Sequence, residues 1–350
     1  MLTSSEDLAV KPKSHTLRSI ADTLGVSTAT ISNAFNRPDQ LSKSKREEIL
    51  SACQQLGYFG PNKAAQSLRR GHSGIIALVL ADSIDYMVSD PVASSFICGV
   101  SEVLKESHSN LLLFSGSSPS INSVIDFVDG FICYGVPRNP ALIKELAACH
   151  KKVITVDFTL PERPFVALDN RTAAFEIAMQ ALKPDDRVAI VGLRITDGTV
   201  TSKVMGETLI DIDTSVSHLR YCGYVDALAQ QGISLNPSLI WNVPESSQAH
   251  AKIAALEILQ EPTLPNTILC MSDLIGLSVL REVLSAGYNV PEDVKIVGFD
   301  GIDETKRHHP TLSTVFQNSE EKGRLAAKMF FEKTPVSQYL EYQLFLGESC

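Results

Sequence analysis

No apolar run in this chain approaches the roughly 20 residues that a membrane-spanning helix needs, so no bilayer segment is expected. The opening stretch, MLTSSEDLAVKPKSHT, lacks a continuous apolar core, which argues against a secretory signal. Cys53, Cys98, Cys133, Cys149, Cys222, Cys270 and Cys350 are odd in number, scattered and free of any CxxC pair. That excludes a disulfide framework and a structural zinc site, and it predicts a reducing, cytoplasmic setting. Phosphate-cradling and nucleophile motifs are missing too: there is no GxGxxG after the first strand, no GxxxxGK[ST], no GxSxG and no HExxH. His308 and His309 are adjacent and would point to opposite faces of a strand, so they do not pair around a metal. The expectation is a chain with no cofactor, no metal and no catalytic residues.

What is present is charge asymmetry. The chain of 350 residues carries a net charge of −9, yet residues 11–70 hold ten Lys or Arg against four Asp or Glu, a net of +6, so the rest sums to −15. A basic head on an acidic body suits nucleic acid, because phosphate contacts supply non-specific affinity while the body is repelled. The hydrophobic share of 44% and the length allow two or three domains with sizeable cores.

Residues 16–36, TLRSIADTLGVSTATISNAFN, read as two short helices. Thr16 is placed as an N-cap, and Leu17, Ile20, Ala21 and Leu24 share one face before Gly25 stops the helix. Ser27 caps a second helix over Thr28 to Phe35, with Ile31, Ala34 and Phe35 facing inward. The outer face, Thr28, Ala29, Thr30, Ser32, Asn33 and Asn36, is small or amide-bearing, as a major-groove surface requires. A third helix starts at Ser42 or Ser44, with Glu47 placed for a capping box from Ser44, and buries Ile49, Leu50, Cys53 and Leu56 before Gly57. Residues 1–14 read as a flexible leader. A short helix from Asn62 to Leu68 has too few turns to be stable alone.

From Gly74 onward the pattern changes to apolar strands at 75–81, 110–116, 130–136, 152–158, 187–193, 267–273 and 294–300, alternating with helices. Continuous Val/Ile/Leu runs between helices predict parallel sheets covered on both faces, and there are too many for one compact sheet. Ligands in such folds sit at the carboxyl ends of strands, where Asp82, Asp157, Ser272, Asp273 and Asp300 fall. Asp273 is expected to cap and brace the helix that follows it, and Trp241 to lie in the core.

The paired-helix segment, the SKSKREEILSACQQLGY helix and the PNKAAQSLRRG linker closely resemble the head and hinge of the lactose/galactose repressor family of bacterial transcription factors. VALDN, SDLIGLSVL, VPEDVKIVGFDGID and HPTLSTVFQNSEEKGRLAAKMFF resemble its body in order and spacing, so the resemblance spans about residues 15–350. It departs from the family in a shortened second helix at SSPSINSVIDFVD and in an insertion at 194–217. The implied fold is a three-helix helix-turn-helix head (15–60), a hinge helix and linker (61–73), and a two-lobed periplasmic-binding-protein-like body (74–350) of doubly wound parallel sheets. The expected lobes are 74–165 with 303–335, and 166–302 with 336–350.

By the same resemblance Thr28, Ala29 and Asn33 read bases, while Ser27, Thr30, Ser32, Asn36, Ser42, Tyr58 and Asn62 position phosphates and Leu68 wedges into the minor groove. Asn33 replaces a frequent arginine, which shifts the expected preference from guanine to adenine. Arg220, Ser272 and Asp300 are implied on the second-lobe side of an effector site, and Ser89, Asp90, Val92 and Asp157 on the first. The family's aromatic stacking platform has Ser246 as its counterpart. The implied protein is a homodimeric repressor, bound to a pseudo-palindromic double-stranded DNA operator and controlled by a sugar or related metabolite; no membrane is involved. The absence of a heptad tail after LEYQLFLGESC predicts no coiled-coil tetramer. Two rivals share the body: a transporter's solute receptor, which has no use for a basic head, and a cytoplasmic binding protein or enzyme with a degenerate head.

Overall fold

The computed structural model describes residues 16–60, 72–205, 209 and 215–350. The leader, Asn62, Leu68 and part of the 194–217 insertion lie outside the described residues. The chain divides into two compact units, 1–73 and 74–350.

In the first unit, α1 (Leu17–Leu24) begins at Thr16, whose side chain accepts from the Ser19 amide, while Ser19 Oγ in turn accepts from the Thr16 amide. Gly25 then adopts φ +62°, a left-handed stop that costs glycine nothing. The second helix, α2 (Thr28–Asn36), is capped by Ser27 and α3 (Lys43–Gln55) by Ser42. The capping box expected from Ser44 does not form: Ser44 lies inside the first turn, and Ser42 Oγ accepts the Lys45 amide instead. One core of Ile20, Ala21, Ile31, Ala34, Ile49 and Cys53 joins the three helices.

The second unit holds two large, mainly parallel sheets and a small two-stranded one. In the first, β1 (Ile75–Leu80), β2 (Asn110–Phe114), β3 (Gly130–Tyr134), β4 (Lys152–Val156), β5 (Phe165–Leu168) and β12 (Gln338–Leu340) run in the order β12-β5-β4-β3-β1-β2. Strand β1 shows why its sequence is continuously apolar. Ile76, Leu78 and Leu80 pack with α4 (Ile84–Ser89), α5 (Pro91–Glu106) and α11 (Ser319–Phe331), whereas Ala77 and Val79 face the core beside α6 (Pro140–Ala148). Helices α5 and α11 meet through glycine: an added Cβ on Gly99 would lie 1.9 Å from the Glu320 carbonyl oxygen. The shortened helix is reduced to one 3-10 turn, Ile121–Ser123.

The second sheet runs β10-β9-β6-β8-β7, from β6 (Val188–Leu193), β7 (Ser202–Lys203), β8 (Ile240–Val243), β9 (Thr267–Cys270) and β10 (Lys295–Val297). Helices α7 (Asn170–Ala181) and α8 (Val216–Gln230) cover one face, α9 (Gln248–Leu259) and α10 (Asp273–Ser285) the other. The described part of the insertion contributes β7, antiparallel to β8. Trp241 is fully buried in this lobe and donates to Glu257.

The lobe boundaries differ from the expected ones. Strand β5 pairs with β4, and β12 with β5, so 165–168 and 338–340 belong to the first lobe. Conversely β11 (Thr314–Phe316) pairs with β13 (Gln343–Phe345) and bridges to Val297 and Asp300, on the second-lobe side. Hydrogen-bond pairing decides membership, and the apolar pattern of a strand does not say which sheet it joins. The chain crosses between lobes after β5, between β11 and α11, and between β12 and β13.

Candidate functional site

On α2, hydrogen bonding separates the outward residues into two sets. Ser27 Oγ and Thr30 Oγ1 are 2.8 Å apart, and Asn36 Nδ2 donates to the Ser32 carbonyl, so these side chains are committed to helix ends and turns. Thr28, Ala29 and Asn33 carry no side-chain hydrogen bond among the described residues, which leaves the Asn33 amide uncommitted on the outer face. Arg46 of α3 donates to the Ala34 carbonyl and braces the carboxyl end of α2, a contact its exposed sequence context did not signal. Tyr58, expected to position phosphate, is 6% exposed, packs edge-on against Phe35, and has a buried hydroxyl with no partner among the described residues.

Between the lobes of the second unit lies a cavity of about 190 Å³. Asp90, Val92 and Asp157 line it from the first lobe, Arg220 and Asp300 from the second. Asp90 caps α5, its Oδ1 accepting from the Val92 and Ala93 amides. Burial pushes the Asp90 carboxyl upward against those two amide bonds. Arg220 is held from three sides: Nε donates to Asn170, Nη1 to the Met271 carbonyl and to Asp300, and the guanidinium lies 3.6 Å from the Phe299 ring centroid. Its Nη2 has no hydrogen bond among the described residues.

Beneath the cavity runs a continuous buried ladder. Arg220 bonds Asp300, Asp300 Oδ1 accepts from Gln317 Nε2 at 2.7 Å, and Gln317 Oε1 accepts from Lys322 Nζ at 2.8 Å. Lys322 closes it with bonds of 2.9 and 2.7 Å to both oxygens of Asp157. Burial raises the Asp300 carboxyl, with Asp273 and Asp90 adding to the effect and Arg220 opposing it. The ladder therefore joins a first-lobe strand end to a second-lobe strand end with every charge matched.

Residues 16–62 match the bacterial regulatory proteins of the lacI family, and residues 208–350 match the periplasmic binding protein-like domain. An HTH-type transcriptional regulator of Mycolicibacterium smegmatis is 32% identical, the match covering 97% of each chain. This chain belongs to the LacI family. The HTH-type transcriptional repressor CytR of Escherichia coli is 30% identical over 91% of this chain and 89% of CytR. Among solved structures, a LacI-family regulator of Silicibacter pomeroyi superposes with a TM-score of 0.74 at 19% identity, covering 96% of this chain and 99% of that one. The protein is a sequence-specific DNA-binding transcriptional regulator with an effector-controlled body.

Within this LacI-family body, two residues expected in the cavity stand apart from it. Ser89 is exposed and donates to the Tyr86 carbonyl. Ser272 caps α10 and bonds Ser246 Oγ at 2.7 Å, so Ser246 is the hydroxyl on the lining and Ser272 sits behind it. Asp273 is not the cap of α10. Its carboxylate accepts from the Gly301 and Ile302 amides and from Thr314, bracing the turn after β10.

Several residues of the cavity wall and of the ladder beneath it were not singled out from sequence. Tyr134 ends β3, stacks on Phe96 at 4.4 Å and opens into the cavity, with burial and the Asp157 and Asp90 carboxylates raising its phenol. Its position at a strand's carboxyl end was a usable signal. Lys322 was signalled only by its place on the apolar face of α11, four residues before Ala326. Tyr86 accepts from the Ser246 amide across the cleft, and no local pattern marked it. Among the described residues there is no cluster of three metal-ligating side chains and no helix long and apolar enough to cross a membrane.

Proposed function

We propose that two copies of this chain bind a pseudo-palindromic operator as a homodimeric repressor, each placing α2 in the major groove of one half-site. Two-fold protein symmetry then matches two-fold DNA symmetry. Thr28, Ala29 and Asn33 read base edges. Ser27, Thr30, Ser32, Asn36 and Ser42, with Asn62 of the linker, set the position on phosphates, and Leu68 wedges at the operator centre. A small polar molecule, a sugar or related metabolite, occupies the interlobe cavity against Asp90, Val92, Arg220 and Asp300. It controls operator affinity by binding one lobe arrangement more tightly than the other.

The observation that carries the DNA reading is the uncommitted Asn33 amide on the outer face of a capped second helix. An amide bonds adenine N6 and N7 bidentately, whereas arginine prefers guanine O6 and N7. Selection of bound sequences from a random duplex pool by the full-length protein is expected to return a palindrome. Asn33→Arg should then change adenine to guanine at one symmetric pair of positions, with a discrimination of about 1–3 kcal/mol. An unchanged consensus would remove Asn33 from the base-reading set, and no enrichment at all would sink the operator reading.

A further inference from the structure

Arg194 is the least satisfied charge on the cavity wall. It follows β6 at φ +48°, a backbone conformation uncommon outside glycine, and its amide donates to the Val243 carbonyl at 2.7 Å. Its side chain is 26% exposed and forms no hydrogen bond among the described residues. The nearest carboxylate, Asp82, is 4.0 Å away and already engaged: Oδ2 takes Arg138 at 2.7 Å, while Oδ1 takes the Ser83 amide and the Ser117 hydroxyl. Asp197, the other acid beside Arg194, is exposed to solvent. Arg194 is thus a largely enclosed guanidinium with unmet donors.

Other unmet donors border the same space. Arg194, Ser215 and Ser217 line both the main cavity and a smaller one beside it. Ser215 caps α8, and the amides of Val216 and Ser217, the first two of that 15-residue helix, have no acceptor among the described residues. One turn further along α8, Arg220 also lines the cavity, its side chain only 5% exposed and its Nη2 without a bond among the described residues. Planar guanidinium donors and free helix-start amides are the groups that bind oxyanions. The Asp90 Oδ2 atom, which accepts no bond among the described residues, suits a hydroxyl on the same ligand.

We infer that Arg194 and the start of α8 form an oxyanion subsite, so that the effector carries a phosphate or carboxylate group beside a hydroxylated part. This rests on the reading that the effector occupies the interlobe cavity. Asp82, matched by Arg138, holds the guanidinium near the wall without neutralising it, and the ligand's oxyanion completes the pairing.

The test uses the full-length protein and calorimetric titration with inorganic phosphate and acetate as scaffold-free probes. Glucose, gluconate and glucose 6-phosphate serve as a matched neutral, carboxylate and phosphate set. Phosphate or acetate is expected to bind at millimolar concentration, and Arg194→Gln to weaken it about tenfold or more. Arg194→Lys, which keeps the charge, should retain part of the affinity and guards against a folding defect in Arg194→Gln. Whichever of gluconate and glucose 6-phosphate gains more over glucose identifies the anion. Phosphate held only by the DNA-binding head would titrate alike in wild type and Arg194→Gln, and that overturns the inference, as does the absence of any phosphate or acetate binding. If a neutral ligand binds and is lost in Arg220→Met while Arg194→Gln has no effect, the oxyanion inference falls and the cavity reading stands. Binding that neither substitution alters sinks both.

Discussion

Lys322 is the residue whose role is least like its usual one. Lysine is ordinarily exposed, yet this one is 0% exposed and spends its three donors on Asp157 and Gln317. A buried pair contributes little net stability, but removing one member strands the other charge in a medium that cannot solvate it. Lys322→Met is therefore expected to cost about 3–5 kcal/mol in urea unfolding of the body. Adding Asp157→Asn should return much of that loss, because asparagine is neutral and tolerates the φ of +59° at this position. Equal stability of the single and double variants would show that Lys322 does not neutralise Asp157. The same pairing bears on ligand binding: with both oxygens of Asp157 held by Lys322, Asp90 Oδ2 is an acceptor on the first-lobe wall with no bond among the described residues.

At the scale of the element, the head shows how a cap is chosen among neighbouring serines. Ser42 and Ser44 both precede an amphipathic run, and Glu47 made Ser44 look reciprocal. Ser42 has the extended backbone of an N-cap, φ −63° and ψ 148°, so its hydroxyl reaches the Lys45 amide while Ser44 is already helical. Ser42→Ala should lower the stability of the head by about 1 kcal/mol, and Ser44→Ala should stay within about 0.5 kcal/mol. Thermal unfolding followed by helix circular dichroism separates the two; a larger loss at Ser44 would restore the capping box. The close packing of α5 on α11 is an element-scale constraint of another kind, since Gly99 leaves no room for any side chain against Glu320.

Across the whole molecule, charge is segregated, with +6 on residues 11–70 and −15 on the rest. Counterion release makes operator affinity fall linearly on a log–log plot against salt, at about 0.9 per neutralised phosphate. For the proposed dimer, whose two heads each carry ten Lys or Arg over residues 11–70, neutralising about 6–10 phosphates should make affinity drop about 10³- to 10⁵-fold between roughly 50 and 200 mM salt. Fluorescence anisotropy with a selected operator measures this; a flat response would remove the basic head from the interface. Binding of an uncharged ligand in the cavity should change far less, because the ladder beneath it is buried and internally neutral.

By itself the sequence determined the elements and their class, for physical reasons that act locally. Helical periodicity with Thr16, Ser27 and Gly25 at the boundaries defines α1 and α2, and fully apolar strands such as β1 can exist only where helices cover both faces. It also placed Asp157 and Asp300 near one cleft, since strand ends converge in open parallel sheets, whereas Asp90 and Arg220 were expected there through the family resemblance. What required tertiary structure was every pairing between distant segments. Lys322 meets Asp157 across 165 residues, Tyr86 meets Ser246 across 160, and β12 joins the first sheet after the chain has built the second. Ser272 and Ser246 exchange places on the lining for the same reason. Local pattern records which residues are buried or capped, but which buried group faces which is fixed only when the two lobes close on one another.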